Sequence, residues 1–195
     1  MFFCDDDYLF YLELLKQWCT SEGVEIWAYC LMPNHVHLIL KPRPTANLSK
    51  VIAETHRRYT RMIHFRENWR GFLWPGRFSS YPMAERYLLK AAAYVEFHPV
   101  RAKRVACAWD YRWSSVHAHL NGEDPQKIVE PKRLLDMCGD WHDYLLQSQS
   151  TWDTPFEQRL NTGRPLGDNC FIEKIESLLG RDLKKKKPGP TSDEN

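Results

Sequence analysis

The sequence predicts an α+β fold, and three observations carry that prediction. Two apolar stretches, Val24 to Leu31 and His35 to Leu40, flank a Met32-Pro33-Asn34 corner. Pro and Asn are turn formers, so the pair reads as a β-hairpin. Apolar residues recur at helical spacing before the hairpin, from Tyr8 to Leu15, and after it, from Leu48 to Ile63. A further stretch, 84–97, is rich in good helix formers: Glu85, Leu88, Leu89, Lys90 and three alanines. The 195 residues, 43% of them hydrophobic, suit one domain plus an appendage.

Taken in order, Asp5 to Asp7 place acid at the start of the first helix, which ends near Gly23. In the second hairpin strand, alternate residues share a face. Val36, Leu38 and Leu40 therefore point into a core, while His35 and His37 project together on the other side. Two imidazoles side by side on a rigid strand can present two nitrogen ligands to one divalent metal. A half-exposed strand with two polar side chains is the plainer alternative, and the pair alone does not decide. Pro42 and Pro44 close the strand.

From Asn47 to about Trp69 the period is helical again, with Leu48, Val51, Ile52, Thr55, Tyr59, Met62 and Ile63 as one stripe. Lys50, Arg57 and Arg61 line another side, with Arg58 and Arg66 nearby, as either a solvated face or a phosphate-facing ridge. Leu73 to Tyr81 reads as a strand after a Pro75-Gly76 turn. The 84–97 helix stops at His98, because Pro99 disfavours helical geometry in the residue before it. Trp109 to Ser115 open a short helix to Leu120, and Asn121-Gly122 marks a turn. Small helices are expected near 131–137, 140–148, 154–161 and 168–180. They give domains of 1–122, a helical appendage 123–182, and a disordered tail 183–195 that carries Lys184 to Lys187.

Composition narrows the function. Net charge is only +2, so a polyanion partner must be argued from where charges sit. The aromatics, 13% of residues, could stack on nucleobases, but core packing accounts for most. Six scattered cysteines form no CxxC pair, which argues against a zinc knuckle and for free thiols in a reducing cytosol. No signal peptide and no apolar run of membrane length are present, so a cytoplasmic protein with no membrane partner is expected. A G-x-S-x-G elbow and a phosphate-binding glycine loop are both absent. A histidine-triad hydrolase needs a third alternating histidine where Ile39 stands.

Tyr87, Ala91, Tyr94 and His98 fall at offsets of four, three and four, on one helix face. Tyr94 alone would be read as a core aromatic. Beside His35 and His37, this face supplies a third imidazole and a phenol. That set suits DNA strand transfer through a tyrosine. A divalent cation withdraws charge from a phosphodiester, and the phenol takes over the ester as a phosphotyrosine. Oxygen-rich substrates at such a site suit Mg²⁺ or Mn²⁺, and the imidazoles would also accept Zn²⁺.

The block Tyr29-Cys30-Leu31-Met32-Pro33-Asn34-His35-Val36-His37-Leu38 resembles the HUH motif of single-tyrosine transposases. His56 to Thr60, Gly76-Arg77-Phe78, Tyr94 to Ala102, Trp113-Ser114-Ser115 and Thr162 to Gly167 resemble the same family in the same order. The chain is most similar to the REP-associated tyrosine transposases. That resemblance implies a ferredoxin-like antiparallel sheet packed with helices. It implies His35 and His37 as metal ligands and Tyr94 as nucleophile. His98 stands where relatives carry a third metal-contacting side chain, commonly Asn or Gln. The substrates it implies are single-stranded DNA with adjoining hairpins, cut and rejoined without ATP by a monomer or homodimer. Relatives usually have a strand ahead of the segment that opens here at Phe2-Phe3-Cys4-Asp5, so a sheet lacking its first strand, with an unpaired edge, is expected. Arg57, Arg58, Arg61, Arg77, Arg101 and Arg104 are candidate phosphate contacts. Two functions follow: a metal-dependent DNA nicking and strand-transfer enzyme, or an inactive descendant that binds DNA hairpins.

Overall fold

The computed structural model describes residues 1–149 and 164–183. The elements are α1 (Asp5–Glu22), β1 (Val24–Met32), β2 (His35–Pro42), α2 (Leu48–Arg66), α3 (Leu88–Arg101), α4 (Val116–Asn121), α5 (Lys132–Cys138), α6 (Trp141–Gln149) and α7 (Asn169–Leu179). This is an α+β architecture. The helix expected near 154–161, the residues Thr162 and Gly163, and the lysine tail lie outside the described residues. Among the described residues, no helix is long and apolar enough to cross a membrane.

The chain divides into two compact units, Met1–Phe78 with Leu89–Thr151, and Ser79–Leu88 with Trp152–Asn195. In the first, β1 and β2 pair antiparallel, with Met32 opposite His35 and Cys30 opposite His37. The free edge of β1 receives a third short segment: the Leu31 amide donates to the Trp113 carbonyl (2.8 Å) and the Ser115 amide to the Tyr29 carbonyl (3.0 Å). The hairpin has two unlike faces. Val36, Leu38 and Leu40, with Ile26, Tyr29 and Leu31, pack against Tyr11, Leu12 and Leu15 of α1 and Val51, Ile52, Tyr59 and Ile63 of α2. That is the core the alternation in β2 predicts. The other face carries Ala28, Cys30, Met32, His35, His37 and Ile39.

α1 starts on three acidic residues and ends on Gly23, whose φ of 68° is a left-handed helix cap that glycine adopts at no steric cost. Fully buried Asp7 accepts from the Phe3 amide (2.8 Å) and forms a fork with the Arg66 guanidinium of α2. Arg66 thereby joins the ends of two helices and is removed from the arginine ridge.

Two expectations fail. Leu73 to Tyr81 is not a strand; it is irregular. Its apolar side chains bind a helix instead of a sheet. The Trp74 indole N–H donates to Thr60 Oγ1 (3.0 Å), and the ring stacks on His56 at 3.6 Å. α3 does not stop at His98. It opens with a 3₁₀ turn at Glu85–Tyr87 and runs through Pro99 to Arg101. Proline's fixed φ is itself helical, and in a last turn its cost is one missing donor. In the second unit, Leu166 is buried and exchanges backbone bonds of 2.8 Å with Pro82 and Ala84. A side chain on Gly167 would collide with the Phe171 ring, which explains glycine at that position.

The Asp7–Arg66 pair gives a stability test. Burial opposes ionisation of Asp7, but the Arg66 bonds and the Phe3 amide outweigh it, holding the carboxyl below its usual range. A depressed folded-state pKa contributes stability above the ordinary aspartate pKa, and that contribution disappears as pH falls through the folded value. Arg66→Met leaves the carboxylate buried without its cation. It should cost about 1–3 kcal/mol in urea unfolding at pH 7, the penalty for a buried polar group left without its partner, and less as pH falls through the folded-state value.

Candidate functional site

β2 begins at His35, directly after the turn, so both histidines are fixed by a strand whose opposite face is anchored in the core. α3 brings His98 to them. Ring centroids lie 4.9 Å apart for His35 and His37, 5.1 Å for His35 and His98, and 4.2 Å for His37 and His98. One ligand nitrogen from each ring falls within 4.8 Å of the others.

The hydrogen bonding around these rings fits a cation. Asn34 Oδ1 lies 2.8 Å from His35 Nδ1. An amide oxygen only accepts, so Nδ1 carries the proton and His35 Nε2 keeps a lone pair. That nitrogen faces His98 Nε2 at 3.1 Å. His98 either donates there, leaving Nδ1 bare, or holds its proton on Nδ1 and turns a second lone pair inward. In both tautomers a buried ring nitrogen lacks a partner, and His37 Nε2 lacks one as well. Two nitrogens bound to one ion at about 2.1 Å lie roughly 3 Å apart, so the observed spacing suits co-ligands. Asn34 was not singled out in the sequence beyond its turn role; its place beside the first histidine was the available signal.

All three rings favour the neutral, ligating form. Burial pulls His37 down to about 3, with repulsion from His98, His35 and Arg101 adding to it. Burial and the charge of His35 and Arg101 bring His98 to about 4, and burial lowers His35.

Tyr94 lies one turn before His98, with ring centroids 6.2 Å apart. The Arg101 guanidinium sits over the phenol at 4.5 Å from its centroid. Ala91, Ala92, Ala93, Val95, Glu96 and Phe97 are buried, whereas Lys90, Tyr94 and His98 form a half-exposed stripe. The expected face is thus present, except that Ala91 is buried.

The other arginines are not gathered here. Arg57, Arg58 and Arg61 are on α2, which packs on the opposite face of the hairpin. Arg57 and Arg58 pair with Glu54 at 2.5 and 3.5 Å. Such exposed ion pairs contribute little to stability. Arg77 and Arg104 are exposed.

A tyrosine, three imidazoles and an arginine over the phenol thus gather on an α+β scaffold. Comparison with known proteins gives the class: residues 2–98 match the family described as "Transposase IS200 like". The chain belongs to this IS200-like transposase family. A Haemophilus influenzae protein named as a REP-associated tyrosine transposase is 26% identical over 119 residues, covering 55% of this chain and 68% of that relative. No solved structure matches the chain.

In a histidine NMR titration of the metal-free chain, His37 should keep neutral-ring shifts down to about pH 3 and His98 down to about pH 4. Because these folded-state values lie below the ordinary 6.5, protonation favours the unfolded chain, and stability falls as pH drops below that point. Midpoints near 6.5 would mean the rings are solvated and apart.

Proposed function

We propose that the chain is a metal-dependent, single-strand DNA nicking and strand-transfer enzyme acting on hairpin-bearing DNA through Tyr94. The observation that carries this reading is the convergence of His35, His37 and His98, with the buried His37 Nε2 unpartnered, one helical turn from a tyrosine.

His35, His37 and His98 would hold Mg²⁺ or Mn²⁺, which supplies charge withdrawal from a bridging phosphate when bound. Tyr94 Oη attacks phosphorus, the new P–Oη bond replaces the P–O3′ bond, and the phenolic proton is lost. The departing strand leaves with a free 3′-hydroxyl. The other stays on the enzyme as a 5′-phosphotyrosine. One ester replaces another, so a second 3′-hydroxyl can reverse the step on a different strand without ATP. Arg101 lies against the phenol and would contact the same phosphate. Lys90, on the same stripe, would extend the backbone track. Arg57, Arg58, Arg61, Arg77 and Arg104 would contribute sequence-independent phosphate attraction away from the reacting centre. The reacting parts all lie within 1–122, the segment we assign to catalysis.

The test is incubation of the full chain with single-stranded DNA carrying a hairpin, with and without Mn²⁺. A covalent protein–DNA adduct should form only with the metal, and Tyr94→Phe should form none. His35→Ala and His37→Ala should reduce adduct by at least roughly 100-fold, since loss of even an outer partner of a ligand costs up to that much. Hairpin binding without adduct in the wild type would instead identify an inactive binding protein. Equal adduct from Tyr94→Phe would remove Tyr94 from the mechanism.

A further inference from the structure

Behind α3 lies a buried polar cluster that the reaction itself does not use. Glu96 is fully buried. Its Oε1 accepts from the Ser115 hydroxyl and lies 2.6 Å from His119 Nδ1, and its Oε2 accepts from the Trp141 indole N–H at 2.7 Å. Ser115, His119 and Trp141 are buried too, and they come from three places in the chain: the segment beside β1, α4 and the start of α6. Three donors therefore converge on one carboxylate. In the sequence Glu96 stands out only within the Tyr94 to Ala102 block, with no role of its own. An isolated carboxylate among alanines and Phe97 was the signal.

We infer that Glu96 is a positioning residue: it fixes the rotation of α3 so that Tyr94 and His98 face the hairpin histidines. This rests on the reading of Tyr94 and His98 as site residues. At about 100° per residue, Glu96 lies roughly 200° from both Tyr94 and His98, on the back of the same helix. It holds the back while they occupy the front. The attachment also closes a loop with the metal-binding strand. Ser115 Oγ accepts from the Tyr29 amide at 3.0 Å, and the Ser115 amide donates to the Tyr29 carbonyl at 3.0 Å. Next along β1, Cys30 is opposite His37 of β2. Glu96 is thus tied through Ser115 to the strand that sets the register of His37, while His98 touches His37 from the other side. Turning α3 by one residue breaks all three carboxylate bonds, each unmade at full desolvation cost. An apolar side chain would fill the same space but tolerate neighbouring rotations; a satisfied polar network specifies one. This gives Trp113-Ser114-Ser115 a role: its last residue connects helix to strand.

NMR of the metal-free full chain tests the inference. The wild type should show ring-to-ring contacts between His98 and His37, whose centroids are 4.2 Å apart. Glu96→Gln keeps the size but turns an amide donor toward one of the three donors, and Ser115→Ala removes one donor with little change in volume. Each should weaken the His98–His37 contact at least twofold while the β1–β2 contacts keep their strength. Mn²⁺ titration followed by electron paramagnetic resonance adds a second readout. Glu96→Gln should weaken binding about tenfold in the wild-type background and not at all in His98→Ala, an effect that general loss of stability does not produce. Undiminished His98–His37 contact in both folded variants overturns the inference. Equal weakening of Mn²⁺ binding in the two backgrounds does so too. A wild type that binds no Mn²⁺, with the ring contact still lost in Glu96→Gln, refutes the metal reading and leaves the positioning role standing.

Discussion

The two-residue period of β2 is the constraint from which the rest follows. It commits one face of the hairpin to the core, through Val36, Leu38 and Leu40, and so leaves His35 and His37 no freedom to turn away. A one-residue slip would bury the imidazoles among α1 and α2 and expose the aliphatic chains. The core therefore enforces the position of the site. Burial also favours the neutral form of all three rings, the form that could bind a metal. His37 Nε2 is buried without a partner, a cost that a bound cation would offset.

The helices divide the labour. α1 and α2 cover the apolar face and are joined by the buried Asp7–Arg66 fork, so their work is folding. α3 covers the other face and brings His98 to the hairpin histidines. Basic residues follow the same division. Arg101 lies against Tyr94, while Arg57 and Arg58 are held in exposed ion pairs across the sheet. With a net charge of +2, the protein cannot attract DNA by overall field, and discrimination must come from local placement.

The sequence made the hairpin, the two main helices and the histidine pair legible because each has a clean period and a clear end signal. Gly23 stops α1, and Met32-Pro33-Asn34 reverses the chain. Leu73 to Tyr81 misled because an apolar run bounded by Pro and Gly looks the same whether it pairs in a sheet or lies on a helix. Trp74 chose the helix, through Thr60 and His56, and no local pattern encodes that choice. Pro99 misled because the preference of the residue before proline is a tendency that tertiary contacts of His98 outweigh. The partners of Glu96 were not legible for a related reason. Its donors are 19, 23 and 45 residues away, and only the fold brings them together.

The central claim is that His35, His37 and His98 share one cation. It is tested most directly by anomalous diffraction from crystals of the full chain grown with Mn²⁺. A single strong peak is expected at about 2 Å from one nitrogen of each ring, absent from crystals of His98→Ala. A peak bound by fewer than two of these histidines, or none at a concentration that supports DNA cleavage, would contradict it.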